Sequence, residues 1–136
     1  GDHRALHSFP TRRSSDLKRR PPGSHHWSED IAAEFLQRQS LVLVLRNYRS
    51  RTGEIDLIMI DGQTLVFIEV KQRRDSQFGR PEEAVSRAKQ AKLRRTAASY
   101  LQRHDRLQSR PCRFDVVAIT GSPHAPDCRW IQNAFH

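Results

Sequence analysis

The sequence predicts an α/β fold in which a mixed sheet of four or five strands is flanked by helices. Two apolar, β-branched runs at 53–60 and 65–71 flank Asp61-Gly62, and Asp-Gly is a strong signal for a β-hairpin. The segment from Lys71 to a further apolar run at 113–119 is long enough for a helical crossover between parallel strands, which is normally right-handed. A chain of 136 residues accommodates one ordinary domain.

The N-terminal part of the chain differs from the rest in composition. Residues 1–26 are predicted to be a disordered tail, because they contain Pro10, Pro21, Pro22 and Gly23, clustered Arg and Ser, and no sustained apolar period. Residues 1–20 are further interpreted as a non-native artefact, since 6–17 look like translated sequencing-adapter read-through. We therefore assign them no function, and we predict a single domain over 27–136.

The first two elements of the domain are a helix and a strand. Ser28 is a suitable N-cap for a helix over 29–38. The continuous apolar run at 41–45 predicts a strand that is buried on both faces. Residues 47–53 are expected to form the connection from this strand to the hairpin.

A second helix is predicted after the hairpin. Gln72 to Arg80 is a polar loop, and Pro81 stands at a suitable first helical position with two glutamates behind it. This helix is expected to continue to about Arg103. The run at 113–119 then forms a strand, 120–127 a turn-rich loop and 128–135 a closing strand. The apolar residues of the closing strand, Trp130, Ile131 and Phe135, are expected in the core rather than as platforms for stacked bases.

The composition favours an anionic partner. Lys and Arg number 24 against 15 Asp and Glu, which gives a net charge of +9 and is typical of proteins that bind DNA, RNA or anionic surfaces. No stretch approaches the roughly 18 apolar residues of a membrane span, so no membrane partner is expected. Cys112 and Cys128 lack metal-site spacing, and no signal peptide is recognisable, so a reduced, cytoplasmic protein is expected. A homodimer is compatible with this sequence.

Two acidic residues and a lysine in the hairpin form the candidate site. Glu69 and Lys71 share a face because side chains alternate along a strand. If Asp61-Gly62 is a two-residue loop, Asp56 lies diagonal to Glu69 at roughly 7–8 Å. A four-residue loop places Asp56 directly opposite Glu69 at about 4.5–5.5 Å. Both registers gather the three side chains on one surface.

This grouping suggests metal chemistry. Neighbouring carboxylates repel each other unless a cation lies between them, and Mg²⁺ takes one or two carboxylates together with water and phosphate oxygens. A nearby lysine can orient or deprotonate an attacking water. The alternative is a half-exposed sheet whose charged residues lie on its solvated face, and the spacing alone does not decide between them.

Four motifs resemble the YraN family of small bacterial proteins, which has a PD-(D/E)XK, restriction-endonuclease-like core. The motifs are Gly-Glu-Ile-Asp-Leu-Ile at 53–58, Phe-Ile-Glu-Val-Lys at 67–71, Cys-Arg-Phe-Asp-Val-Val-Ala at 112–118 and Trp-Ile-Gln-Asn-Ala-Phe at 130–135. The resemblance covers the chain from about 29 to 135. It implies that Asp56 is the first acid of the nuclease motif, Glu69 the second and Lys71 its lysine.

Archaeal Holliday junction resolvases share this layout and add a glutamate from the first helix, which Glu29 matches. Ser28 and Ser40 depart from the family, which usually has glycine at these two positions. The resemblance implies a Mg²⁺- or Mn²⁺-dependent endonuclease that hydrolyses phosphodiester bonds, with structured or branched DNA as the candidate substrate. The metal ligands would be Asp56, Glu69, the Val70 carbonyl and Glu29.

Two other function classes stay open. One is a non-catalytic nucleic-acid-binding protein that retains the nuclease fold, and the other is a protein-interaction subunit. In the nuclease and binding hypotheses, polar residues after the hairpin contact the phosphate backbone, although an ordinary solvated loop and helix face explain them as well. These residues are Arg73, Arg74, Arg87, Lys89, Gln90 and Lys92. Glu54 is a spare acid near the same face, and Asp115 is expected to have a structural role.

Overall fold

The computed structural model describes residues 26–73 and 85–136. These ranges contain five strands, two α-helices and a short 3-10 turn at Asp105–Leu107. The elements in chain order are α1 (His26–Arg38), β1 (Val42–Ser50), β2 (Gly53–Asp61), β3 (Thr64–Gln72), α2 (Arg87–Gln102), β4 (Cys112–Ser122) and β5 (Ala125–Phe135). No helix in the described part of the chain combines the length and apolarity needed to cross a lipid bilayer.

The strands form one mixed sheet whose spatial order, β1-β2-β3-β4-β5, is also their order along the chain. Strands β3 and β4 pair in parallel, and the other three neighbouring pairs are antiparallel. The crossover from β3 to β4 contains α2. The predicted α/β class, the mixed sheet and the parallel pairing after the crossover are therefore confirmed, and the arrangement is compatible with a nuclease-like core.

The two helices pack against opposite faces of this sheet. Val66 and Ile68 of β3 belong to the apolar cluster under α1, whereas Leu65 and Phe67 belong to the cluster under α2. This division follows from the alternation of side chains along a strand. Because Glu69 and Lys71 continue the odd-numbered series, they lie on the face covered by α2.

The hairpin between β2 and β3 turns one residue later than a loop at Asp61-Gly62 requires. Asp61 pairs with Thr64 and Leu57 with Ile68, so Gly62-Gln63 forms the turn. The prediction of a two-residue loop at Asp61-Gly62 was wrong, whereas the register of the four-residue alternative is confirmed. Gly62 has a φ of 63°, and a glycine at the first turn position readily adopts this left-handed conformation.

Strand β1 lies at an edge of the sheet, so the prediction of burial on both faces was wrong. Leu45, in the middle of the apolar run, is 37% exposed. The strand also extends to Ser50, which pairs with Gly53, and this leaves only Arg51 and Thr52 between the strands. Backbone pairing to β2 therefore overrides the polar side chains that suggested a loop over 47–53.

The turn-rich loop predicted over 120–127 is also largely strand. Strands β4 and β5 remain paired up to Ser122 and Ala125, so the turn is confined to Pro123 and His124. The hairpin ladder supplies backbone partners that composition alone does not reveal.

Helix α2 begins later than predicted. Pro81 lies outside the described residues, but Val85 and Ser86 are not helical, so a continuous helix from 81 to 103 was wrong. Ser86 is the N-cap, and its hydroxyl accepts a hydrogen bond from the Lys89 backbone N–H at 3.2 Å. This serine satisfies one of the free N–H groups at the helix start.

The fully buried Asp115 ties the end of β5 to β4. Its carboxylate accepts hydrogen bonds from Arg113 Nε at 3.0 Å, from Trp130 Nε1 at 2.9 Å and from the Asn133 backbone N–H at 2.9 Å. These contacts bear out its predicted structural role. They also hold the closing strand at the register irregularity between Phe114 and Val116. The core packing of Trp130, Ile131 and Phe135 is likewise confirmed.

Removal of this carboxylate is expected to destabilise the fold strongly. The substitution Asp115→Ala removes the acceptor of Arg113 Nε, Trp130 Nε1 and the Asn133 N–H, which should lower the free energy of unfolding by about 3 kcal/mol in urea titrations. The exposed Asp127 of β5 provides the control, because Asp127→Ala should change stability by no more than about 0.5 kcal/mol. Equal effects of the two substitutions would contradict the structural role of Asp115.

Candidate active site

The pairing of β2 with β3 ends next to the candidate site. Leu57 and Ile68 are the last paired residues, and the same register continued by one position places Asp56 opposite Glu69. At this point Asp56 Oδ2 accepts a hydrogen bond from the Val70 backbone N–H at 2.8 Å. The side chain of Asp56 thus satisfies a backbone donor of β3 where the regular ladder has ended, and this bond fixes the carboxylate against the neighbouring strand.

Glu69 is the most enclosed acid of the site, with 8% of its side chain exposed. Its Oε2 lies 3.9 Å from Lys71 Nζ and 3.5 Å from Lys89 Nζ. Lys71 comes from the same strand, whereas Lys89 comes from the first turn of α2. Three elements, β2, β3 and α2, therefore supply charged groups to one place. This placement brings the predicted Asp56, Glu69 and Lys71 together.

The surroundings of Asp56 perturb its carboxyl group. Burial and the negative charge of Glu69 raise the pKa of Asp56 to about 7, and a side-chain hydrogen bond with Glu69 acts in the same direction. The hydrogen bond from Val70 opposes this rise, and the charge of Glu54 adds to it. Near neutral pH the pair therefore retains a proton that an exposed aspartate would have lost.

This donor set fits Mg²⁺ or Mn²⁺. A cation between the carboxylates would offset the burial and the repulsion that keep Asp56 protonated. The ranges 26–73 and 85–136 contain no group of three or more His, Cys, Asp or Glu side chains arranged to hold a metal. Two carboxylates suit a hard ion that keeps water and substrate oxygens, better than they suit a zinc centre with four protein ligands.

The ligand roles predicted for Glu29 and for the Val70 carbonyl stay predictions. Glu29 lies in the first turn of α1. This helix covers one face of the sheet, whereas Glu69 lies on the other face. Val70 contacts Asp56 through its N–H, and the ligand role of its carbonyl stays a prediction. Glu54 is exposed at the start of β2, close enough to influence Asp56 electrostatically.

The predicted nucleic-acid contacts are spread over several positions. Arg73 continues beyond β3, where its backbone N–H donates to Ile119 O at 2.7 Å, and Arg74 lies outside the described residues. The Gln90 side-chain amide donates to Val85 O at 2.9 Å and so supports the segment before α2. Arg87 is exposed beside the C-terminal residues. Of the predicted contacts on α2, Lys89 thus contacts the carboxylate pair through Glu69.

The approach of Lys89 to Glu69 was not anticipated as an ion pair. The sequence pattern placed Lys89 among the nucleic-acid contacts and, together with Gln90, nearest the site, but it did not identify Glu69 as the partner of its ammonium group. The signal that could have improved the prediction is Ser86, a good N-cap that puts Lys89 in the first turn of a helix. The distance itself depends on how α2 packs on the sheet.

The sequence of this chain is similar to those of a family of bacterial proteins. The family model described as "Uncharacterised protein family UPF0102" matches residues 28–119. A UPF0102 protein of Nitrosococcus oceani is 48% identical over 108 residues, which is 79% of this chain and 87% of the relative. A relative from Stutzerimonas stutzeri is 47% identical over 79% of this chain and 90% of its own length. A third relative, from Symbiobacterium thermophilum, is 51% identical over 79% of this chain and 92% of its own length.

The substitution Asp56→Asn is expected to stabilise the metal-free protein at alkaline pH. Since the pKa of Asp56 in the folded state, about 7, lies above its ordinary value of 3.8, the folded state holds a proton that the unfolded state releases. Stability from this group is complete below about pH 4 and is lost as the pH rises through 7. Asparagine avoids that loss and still offers an oxygen to the Val70 N–H.

Urea unfolding in EDTA at about pH 5 and pH 8 measures the difference in stability between Asp56→Asn and the unsubstituted protein. The advantage of Asp56→Asn should grow with pH and reach roughly 2–4 kcal/mol at the upper value. Glu34→Gln on the exposed side of α1 is the control, and its effect should not depend on pH in this way. A constant or decreasing advantage of Asp56→Asn would contradict the burial of a protonated Asp56.

Proposed function

The chain belongs to the UPF0102 family, which is the YraN family, and we propose that it is a metal-dependent nuclease. The observation that carries this proposal is the convergence of Asp56 and Glu69, with two lysine amines within 4.0 Å of one Glu69 oxygen. Perturbed carboxyl groups next to cations are typical of functional sites. The order of acid, acid and lysine agrees with the nuclease motif that the sequence resembles.

Asp56 and Glu69 would hold Mg²⁺ or Mn²⁺, with the Val70 carbonyl as a further candidate ligand. The ion would supply positive charge to a phosphoryl oxygen and lower the pKa of a coordinated water. The Val70 N–H holds one oxygen of Asp56 in place, and a metal ion would replace the proton in the hydrogen bond between the Asp56 and Glu69 side chains. Because Glu69 is buried, the surrounding protein keeps most water away from its carboxylate.

The two lysines would divide the remaining tasks. Lys71 lies on the same face as Glu69 and is partly exposed, so its amine can orient or deprotonate an attacking water. Lys89 approaches from α2 and is also partly exposed, so its ammonium can stabilise negative charge on the phosphoryl oxygens. Both amines already lie beside the Glu69 carboxylate, which reduces the reorganisation needed when substrate binds.

Nucleic acid is the substrate class that the charge supports. The exposed residues Arg87 and Lys92 extend the positive surface of α2 from Lys89, and Arg73 and Arg74 follow β3 in the sequence. A positive surface beside the carboxylates would hold the phosphate backbone during cleavage. Structured or branched DNA is the proposed preference, on the basis of the similarity to archaeal resolvases.

A nucleic-acid-binding protein without turnover is the second candidate. The observation that favours it is the placement of Lys71 and Lys89 beside Glu69, because two ammonium groups can compensate this carboxylate without a metal ion. In such a protein the charged cluster would serve stability and backbone binding. Metal dependence separates the two candidates.

Cleavage assays test the nuclease directly. The full chain is incubated with duplex, forked and four-way DNA and with RNA, in the presence of Mg²⁺ or Mn²⁺. Asp56→Asn and Glu69→Gln should each reduce the cleavage rate at least about a hundredfold, since each removes a charged metal ligand. Glu34→Gln, an exposed carboxylate on α1, should leave the rate unchanged.

Chelation provides an independent check. Excess EDTA should abolish cleavage and leave salt-sensitive binding in place. Cleavage that persists in EDTA would refute metal-dependent chemistry. Binding without cleavage of any of these substrates, retained in both site variants, would instead favour the binding protein.

A further inference from the structure

A pocket with charged lining residues lies at the turn between β1 and β2. Its volume is about 420 Å³, and it is lined by residues 49–54 and by Lys92 of α2. Three of the lining residues are basic, Arg49, Arg51 and Lys92, and one is acidic, Glu54. The formal charge of the lining is therefore positive, and all four charged residues are exposed.

A chain of hydroxyl groups ties this turn to α2. The buried Thr96 hydroxyl donates to Lys92 O at 2.8 Å, so it must accept from Thr52 Oγ1, which also lies 2.8 Å away. Thr52 Oγ1 in turn lies 2.8 Å from Ser50 Oγ. Because these bonds connect the turn with the helix backbone at Lys92, the pocket is held by both elements.

Gly53 permits the close approach of the helix. A Cβ atom at this position would lie 3.2 Å from Thr96 Oγ1 and 3.9 Å from the Lys92 Cβ. Gly53 also has a φ of 148°, which side-chain-bearing residues rarely adopt. The glycine therefore allows Lys92 to pack beside the turn, and one consequence is the clustering of three basic side chains.

The pocket lies next to the carboxylate pair. Glu54, which lines it, is close enough to act electrostatically on Asp56. On α2, Lys89 contacts Glu69 and Lys92 follows three residues later on the same side of the helix, about 4.5 Å further along its axis. Lys92 therefore lies about one helical turn beyond the residue that contacts Glu69, which places the pocket beside the carboxylate pair.

We propose that Arg49, Arg51 and Lys92 form a subsite for a phosphate of the substrate strand that neighbours the scissile phosphate. This inference rests on the proposed function and makes it more specific, because it assigns an extended polynucleotide as substrate rather than a mononucleotide or a small diester. Arginine presents several N–H donors in a planar fork that matches phosphate oxygens. The contact of Arg49 Nε with Glu54 Oε2 at 3.3 Å orients one of these guanidinium groups.

Binding measurements without metal test the subsite separately from catalysis. Fluorescence anisotropy is recorded in EDTA at low salt with short fluorescein-labelled duplexes, DNA in one arm and RNA in the other. The double variant Arg51→Gln/Lys92→Gln should weaken binding at least about tenfold in one or both arms. It should also reduce the slope of log K against log salt concentration by about 1, because the subsite holds one phosphate.

The matched control removes two exposed basic residues elsewhere, Arg38 at the end of α1 and Arg106 in the 3-10 turn. The variant Arg38→Gln/Arg106→Gln should bind within about twofold of the unsubstituted protein. Equal weakening by the two double variants would overturn the subsite, as would unchanged binding by Arg51→Gln/Lys92→Gln or failure of the unsubstituted protein to bind either duplex. Cleavage does not enter this measurement, so a protein that binds in the expected manner and cuts nothing would overturn the nuclease alone.

Discussion

The hydrogen bond from the Val70 N–H to the Asp56 carboxylate is the constraint on which the site depends. It forms beyond the last pair of the β2–β3 ladder, so a side chain occupies a place where a strand normally presents backbone. The bond holds Asp56 across from Glu69 although burial and like charge disfavour this arrangement. Two adjacent strands thereby acquire a pair of carboxyl groups with a shared proton near neutral pH. Without the bond from Val70, these strands would present only a charged surface of the sheet.

The parallel pairing of β3 and β4 determines what faces this pair. A parallel connection requires a crossover, and α2 lies in that crossover on the face of the sheet that carries Glu69. The helix, which is not part of the hairpin, thus brings the positively charged Lys89 to the enclosed carboxylate of Glu69. Asp115 has a different task, because its hydrogen bonds to Arg113, Trp130 and Asn133 hold β5 on the far side of β4.

Helix α2 also connects the carboxylate pair with the basic turn between β1 and β2. Lys89 reaches Glu69, while Lys92 packs beside Gly53 and Thr96 bonds to Thr52. Lys89 and Lys92 therefore lie on the same side of the helix, about one turn apart. This relation gives the proposed phosphate subsite a fixed position relative to the acids.

The sequence by itself determined the α/β class, the strand pair and the shared surface of Asp56, Glu69 and Lys71, because period-two alternation and β-branched runs are local properties. It left the register open, since the position of the turn depends on which residue adopts the left-handed conformation. Only the tertiary structure decided that Leu45 lies at an exposed edge and that Lys89 meets Glu69. Exposure of a strand depends on its neighbours in the sheet, and a contact between residues 69 and 89 depends on how a helix packs after a crossover. These are interactions between segments distant in sequence, so no local pattern encodes them.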